Sequence, residues 1–561
     1  MRWKLLTVIV AWACAGGAGE FRRLPVADYL DKMKAGWVGQ MVGVGWGGPT
    51  EFKFKGTLMP ADRMPQWHPR RVNQFRQDDI YVEMTFLRSL EVHGLDVSRR
   101  QAGIDFANSA YPLWHANRAG RDNLRRGIAP PDSGHPKFNR HADDIDYQIE
   151  ADYSGLIAPG LPGVAVELGE KFGRLMNYGD GLYGGQFVGG MYAEAFFEAE
   201  PRALVEAGLA CIPAQSQYAE CIRDVLRWHR QHPDDWEKTW ELVNQKYHLD
   251  PAYRRFSCSG PKGAFNIDAK INGAYIVMGL LYGQRDPDKT IIISTRCGQD
   301  SDCNPSNAGG VLFTTIGFRD LPARFTSALD PQRTFSHTPY TFPRLLEVCE
   351  GLARQAVERA GGRVEKDAEG REVFVIPVRQ PRPSKLVQCW EPEPPANSRF
   401  TDEEMARITA PRPREGRKVD LSAAVAKVAP GWSCENCGPD MAPGLRAEFR
   451  GRKQVLCTHP LDRSTGCTLR RKVEVPEGKR TALHLAVTHD PRGDFLLVVK
   501  ASGKKLLETT VGRDTVTDGW LETDVDLSAF AGKTVELELV NHPDEWSWEA
   551  AYWAEIAVRS R

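Results

Sequence analysis

The period of the apolar residues changes once along this 561-residue chain, and that change confines the fold to two unlike parts. From Tyr29 to about residue 350 the apolar side chains return every three or four positions, as one face of a helix requires. Tyr29, Leu30, Met33, Trp37, Val38 and Met41 make the first such stripe; Ile80, Met84, Leu87 and Leu90 make the second. Residues 164–177, 184–200, 203–210 and 217–230 continue as helices, and 271–282 is apolar on every side, as a buried helix is. From about Gly416 the period becomes two. Thr481–Val487, Phe495–Lys500, Leu521–Leu527 and Val535–Val540 alternate or run apolar, with Gly, Asp and Pro between them. Short strands at this spacing predict a β-sandwich. Residues 351–415 crowd proline and charge, which reads as a β-hairpin near Val373–Val378 and then a linker. The expected organisation is multidomain: a leader over 1–18, an all-α domain over 19–350, hairpin and linker over 351–415, and a β-sandwich over 416–561.

The leader reads as a signal peptide. Arg2 and Lys4 supply the charged start, Leu5–Trp12 a short apolar core, and Ala13-Cys14-Ala15 a small-residue cleavage site. The apolar run is too short to span a membrane comfortably. A secreted or periplasmic protein with no integral membrane segment is expected, and a lipid anchor on Cys14 fits less well with Trp12 two positions before it. Lys+Arg and Asp+Glu both number 73, which argues against nucleic acid as a partner. Of 12 cysteines, Cys14 falls in the leader and 11 remain, an odd number. An oxidising compartment permits disulfides, and Cys434, Cys437, Cys457 and Cys467 are the expected pairs. Zinc is the alternative, though Cys434 and Cys437 lack a second pair at matching spacing. The sequence leaves the oligomeric state open.

Acidic turns mark the candidate site. In Arg296–Gly310, RCGQDSDCNPSNAGG, Asp300 and Asp302 stand two apart with Ser301 and Asn304 beside them. Such a compact all-oxygen cluster suits a hard cation. Far upstream, Gln77-Asp78-Asp79 opens another helix, and Glu83 shares a face with Asp79 four residues away. Gly43-Val-Gly-Trp-Gly-Gly-Pro-Thr-Glu51 ends the first helix with glycines that admit close backbone approach. Residues 112–146 read as irregular and loop-rich. They lead through Asp143-Asp-Ile-Asp146 into Gln148, Glu150 and Asp152, acids in a buried-looking segment that need partners. Asp180 sits in the loop before a small-residue helix.

Three of these blocks resemble the ADP-ribosylglycohydrolase family. Gly43–Glu51 resembles its GDxxGxxxE block, with Val44 in place of the Asp. Gln77-Asp78-Asp79 resembles its Thr-Asp-Asp metal motif, and Cys297–Cys303 its GGDxDT motif. The resemblance spans roughly residues 30–320. It implies an all-α fold holding Mg²⁺, one or two ions, with Ca²⁺ an alternative. It makes Asp78, Asp79, Asp300 and Asp302 metal ligands, with Gln77 standing where the family has a threonine. Cys303 replaces the other threonine, and a thiol is a poor ligand for Mg²⁺. The Asp143–Asp152 loop departs from the family's Gly-Asn-rich block, so the substrate is expected to differ. Near the C-terminus, Asp526–Val535 and Ala551–Val558 resemble the last strands of jelly-roll carbohydrate-binding modules, where Trp520, Trp546, Trp548 and Trp553 could stack on sugars or fill the core.

The expected function is a secreted, metal-dependent glycosidase acting on a carbohydrate or glycan. Glu51, Glu83, Asp146 and Glu150 are its candidate acids and bases, and Asp143, Gln148, Asp152 and Asp180 its candidate substrate contacts. Extracytoplasmic ADP-ribosyl hydrolysis and glycan binding without catalysis are the alternatives.

Overall fold

The computed structural model describes residues 20–74, 77–256, 267–410, 418–462, 465–516, 518–543 and 548–561. The leader, Trp546 and the prolines at 411 and 413 lie outside them. The chain divides into two compact units, Met1–Arg412 and Pro413–Arg561.

The first unit is helical, and its central feature is one close helix pair. The Val26–Gly47 helix is buried from Ala35 onward and lies along the Cys303–Ile316 helix. Gly39, Gly43 and Gly47 form the seam. A β-carbon on them would stand 2.4 Å from Gly309 O, 2.2 Å from Pro305 O and 2.1 Å from Ser301 O. These are backbone atoms that cannot step aside, so only glycine allows the approach. The seam draws the end of the first helix against the 301–302 turn. The Asp78–His93 helix follows, opening on Asp78 and Asp79 and ending at Gly94 with φ +78°.

Two helices run against simple periodicity. The β-branched stretch Thr290–Thr295 is helical, inside Pro287–Arg296. Asp286 caps it by accepting from Lys289 N, and Pro287 opens its first turn, so local start signals outweigh β propensity. The region read as irregular contains the His115–Arg125 helix. Its buried side is polar: Asn117, Arg121 and Asn123 turn inward, and Asn123 Nδ2 donates to Ser133 O and Phe138 O. An apolar period cannot reveal such a helix.

The Phe342–Arg359 helix leads into a three-stranded antiparallel sheet. In it β1 (Phe21–Pro25) pairs with β3 (Glu372–Pro377), which pairs with β2 (Arg363–Lys366). Residues 378–410 then run back over the helices. Val387 N donates to Tyr183 Oη at 2.7 Å, the Ala396 and Ser398 amides each donate to Asp132 at 2.9 Å, and Arg100 pairs with Glu404. The first unit therefore takes in most of the 351–415 stretch, as hairpin and strap. No described helix is long and apolar enough to cross a membrane.

The second unit is a β-sandwich of two five-stranded antiparallel sheets. One holds, in order, β10 (Lys504–Val511), β9 (Phe495–Ala501), β12 (Thr534–His542), β7 (Cys467–Glu474) and β4 (Ser433–Glu435). The other holds β11 (Leu521–Asp526), β8 (Thr481–His489), β13 (Ala551–Ser560), β6 (Arg452–Thr458) and β5 (Gly444–Phe449). Leu469, Leu497 and Leu539 from the first sheet share a core with Leu456, Leu485 and Trp553 from the second. Trp520 and Trp553 are buried, while Trp548 stays 41% exposed with Arg492 stacked 3.5 Å above its ring. The described cysteines are all unbridged, contrary to the pairing expected of them.

Candidate active site

Three chain segments meet at the start of the Cys303–Ile316 helix. The 297–302 turn is held by backbone: Gln299 N donates to Phe54 O at 2.8 Å and Phe52 N donates to Gln299 O at 3.2 Å. Gly298 and Gln299 both take positive φ, +82° and +56°, to make the bend. This pairing brings Glu51 beside the turn, and the Thr50 and Ser301 hydroxyls bond at 2.8 Å. One carboxylate oxygen each from Glu51, Asp300 and Asp302 lie within 4.8 Å of one another. Ligand atoms of Asp79, Asp302 and Cys303 form a second such trio. Asp302 belongs to both, and Asp78 adds its charge to Asp302, Asp79 and Glu51.

The electrostatics follow from burying like charges together. Burial, then Asp302, raises Asp300 and Asp79 well above the usual carboxylate range. The same causes push Asp78 up to about 6. Glu51 is exposed to solvent, yet desolvation together with Asp302 and Asp78 pushes it up to about 8. Asp79 Oδ1 and Asp300 Oδ1 are buried and have no hydrogen-bond partner. Oxygen donors with unmet bonding capacity and mutually repelling charge fit a hard divalent cation. Cys303 does not join the donors in kind. Burial keeps its thiol protonated, and Sγ donates to Asp79 Oδ2 at 3.2 Å. Gln77 sits at the cap of its helix with its amide nitrogen against Gly48.

Asp146 and Glu150 stand next to this set. Asp146 accepts from Asn117 N at 2.9 Å and Ala116 N at 3.3 Å, at the opening of the His115–Arg125 helix. Burial, with Asp78 adding to it, still pushes Asp146 up to about 7. Glu150 Oε1 accepts from Asn117 Nδ2, while Oε2 is buried without a partner. Burial and Asp146 raise it well above its ordinary value.

The remaining predicted residues lie elsewhere. Glu83 is enclosed one turn below Asp79, where Gln40 Nε2 and Tyr153 N, the latter at 3.0 Å, occupy its two oxygens. Asp152 accepts from Tyr192 Oη at 2.7 Å and Asn307 Nδ2 at 2.6 Å. With both oxygens engaged in this way, these two carboxylates tie helices together. Asp143, Asp180 and Gln148 gather around Tyr218 and Lys270. Tyr218 Oη donates to Gln148 Oε1 at 2.8 Å, and Tyr218 N donates to Asp180 Oδ1 at 3.2 Å. Lys270 Nζ lies 3.4 Å from Asp268, and its charge offsets part of the rise that burial and Asp268 impose on Asp143.

Several participants escaped sequence reasoning. Asn272 Oδ1 accepts from Asn304 Nδ2 at 2.9 Å and from Asp300 N at 3.4 Å, so it holds the 300–304 turn. Asp268, Lys270 and Asn272, spaced by two at the start of an otherwise apolar helix, were the available signal. Asn117 carried none, whereas Asp144, bonded to His141 at 2.8 Å, belongs to the Asp143-Asp-Ile-Asp146 run.

No curated protein sequence matches the chain. Among solved structures, one titled an ADP-ribosylglycohydrolase-related protein complex aligns over 59% of this chain and 99% of its own, at 16% identity and a TM-score of 0.37. The CBM22-1 xylan-binding domain from Paenibacillus barcinonensis Xyn10C aligns over 24% of this chain and 87% of its own, at 16% identity and a TM-score of 0.18. Scores this low add nothing to the argument. A sequence model of the ADP-ribosylglycohydrolase family, however, matches residues 25–362, more than half of the chain and all of the carboxylate turns just described. On that match, the chain belongs to the ADP-ribosylglycohydrolase family.

Proposed function

We propose that this protein is an exported, metal-dependent glycoside hydrolase whose pocket accepts a neutral sugar or glycan end rather than ADP-ribose. One observation carries the reading. The charged groups that most strongly shift Glu51, Asp78, Asp79, Asp146, Glu150, Asp300 and Asp302 are one another. Lys270 is engaged apart from them, with Asp143, Asp180 and Asp268. A pyrophosphate brought to about 4 Å from a carboxylate that the metal leaves unneutralised would cost on the order of 4 kcal/mol at an effective dielectric near 20. Sugar hydroxyls meet no such barrier and can donate to carboxylates.

Asp78, Asp79, Asp300 and Asp302 would hold the metal, Mg²⁺ or Ca²⁺. Bound there, it supplies a positive charge against which vicinal sugar hydroxyls can be oriented. The chain's own groups do the rest. Glu51, exposed to solvent beside Asp300 and Asp302, can deliver a proton to a leaving oxygen. Asp146, pushed up to about 7 and steered by two backbone amides, can accept a proton from an attacking water. Asn117 links Glu150 to Asp146, its side-chain amide donating to Glu150 Oε1 and its backbone amide to Asp146 Oδ1. Family membership favours a second reading, ADP-ribosyl hydrolysis outside the cytoplasm. The test pairs a reducing-end assay over a polysaccharide panel with calorimetry on ADP-ribose, both with Mg²⁺ or Ca²⁺. Saccharide turnover without micromolar ADP-ribose binding supports the proposal; the reverse outcome installs the second reading.

A further inference from the structure

Two histidines and an aspartate converge beside the carboxylate set without belonging to it. His115 opens the His115–Arg125 helix, and His141 and Asp144 lie on a later turn. His141 Nδ1 and Asp144 Oδ2 are 2.8 Å apart, and His115 Nδ1 lies 3.9 Å from the same oxygen. One ligand atom from each of the three residues falls within 4.8 Å of the other two. The two imidazoles meet edge to face, with centroids 5.3 Å apart. Backbone fixes all three. Asn139, fully buried, accepts from His141 N at 3.0 Å and donates to Ala116 O at 3.0 Å, so one side chain ties both histidine segments together. Asp144 N donates to His141 O at 2.9 Å. Ile145 N donates to Ile267 O and Ala269 N to Asp143 O, each at 3.0 Å, which holds Asp144 from its other side. His115 sits at φ +41°, a region that a residue with a β-carbon keeps only where its surroundings impose it.

A hydrogen bond explains the contact between His141 and Asp144 but not the third member. At 3.9 Å His115 Nδ1 is beyond hydrogen-bond reach, yet both imidazoles turn a nitrogen towards one carboxylate oxygen. A cation accounts for all three. Zinc takes imidazole nitrogen and carboxylate oxygen at about 2.0–2.2 Å, so its tetrahedral ligand atoms stand roughly 3.3–3.4 Å apart. The separations of 2.8 and 3.9 Å fall on either side of that edge, and closure asks for shifts of about half an ångström. Two imidazoles with one carboxylate suit zinc rather than Mg²⁺, which takes oxygen. Three protein ligands leave a fourth position for water. The His115 side chain is 26% exposed while that of Asp144 is sealed, so the water and the ion's way in lie on the His115 side. Asp144 also neighbours Asp143 and Asp268, but Lys270 already faces those two carboxylates, so they do not compete for the cation.

We propose that His115, His141 and Asp144 bind zinc, with water as the fourth ligand, at a site separate from Asp78, Asp79, Asp300 and Asp302. The ion ties the first residue of the His115–Arg125 helix to the 141–144 turn. The next two residues, Ala116 and Asn117, supply the amides that hold Asp146, so the zinc has a positioning role beside that carboxylate. The proposal stands whether the neighbouring pocket takes a glycan or ADP-ribose.

The test uses the full chain, stripped of metal and reloaded with zinc, both native and as Asp302→Asn so that binding to the carboxylate set is told apart. The expected result is one equivalent of zinc that Asp302→Asn retains against a large excess of Mg²⁺. X-ray absorption at the zinc edge should show nitrogen and oxygen neighbours alone, at about 2.0–2.2 Å, with the outer scattering that imidazole rings give. His115→Ala, at a half-buried position, and His141→Gln should each weaken zinc by more than about 100-fold in competition with a chelator, beyond the roughly 10–100-fold that loss of an outer partner costs. If His141→Gln does not fold, His115→Ala and the absorption spectrum of the native chain decide. Loss of the zinc equivalent in Asp302→Asn, affinity unchanged in His115→Ala, or sulfur neighbours at about 2.3 Å would each overturn the proposal. The saccharide and ADP-ribose assays, run with Mg²⁺ or Ca²⁺, are read independently of all three.

Discussion

Asp302 is the residue on which the carboxylate set turns: it appears among the leading causes of the upward shifts at Glu51, Asp78, Asp79 and Asp300. Replacing it with Asn removes one buried charge and one oxygen anion together. Asp302→Asn should abolish Mg²⁺ binding in calorimetry, yet raise the metal-free melting temperature at pH 8 by roughly 1–3 °C. The pH dependence has a definite sign. Glu51, Asp78, Asp146 and Asp152 are raised to about 8, 6, 7 and 7, so the folded chain keeps protons that the unfolded chain has released. Stability contributed by these groups is therefore lost as pH rises from about 4 towards 8. Metal-free protein should melt progressively lower across that window, and saturating Ca²⁺ or Mg²⁺ should flatten the slope. A metal-free slope of opposite sign would mean that burial and neighbouring charge do not raise these acids.

At the scale of elements, the glycine seam between Val26–Gly47 and Cys303–Ile316 sets where Asp302 stands. Gly43→Ala places a methyl 2.2 Å from Pro305 O, a backbone atom. Overpacking of this kind costs typically 1–3 kcal/mol. Denaturant titration should show a loss of about that size, and Mg²⁺ affinity should fall with it because the helix that carries the turn must shift. The strap over the helices has its own anchor. Glu404 is held down to about 2, chiefly by its bonds to Arg100. A depressed carboxylate contributes stability above its unfolded value near 4.5, and that contribution is lost as pH falls through about 2. In Glu404→Gln, hydrogen exchange over residues 398–407 should become faster at neutral pH and lose its acid-induced rise. Exchange unchanged from the native chain would show that the pair holds nothing.

For the molecule as a whole, the division at Arg412 and Pro413 places the boundary after the strap rather than within it. Limited proteolysis should cut first between about 408 and 420 and leave residues 378–405 with the helical fragment. A first cut near 380 would show that the strap is not packed in solution.

Sequence alone determined the broad plan, because periodicity and turn chemistry are local. The change from a period of 3.6 to two announced helices and then a sandwich, the glycines before Glu51 announced close backbone contact, and the Asp78-Asp79 and Asp300–Asp302 turns announced where acids would gather. Tertiary structure decided what local pattern cannot encode. The His115–Arg125 helix buries amides and an arginine, so it has no apolar stripe to read. Glu83 and Asp146 look alike in sequence, yet Gln40 and Tyr153 occupy one while Asp78 presses on the other. Whether Cys303 is a ligand or a donor depends on Asp79, more than two hundred residues away. A buried polar group takes its role from the partners that meet it, and those partners arrive only when distant segments pack.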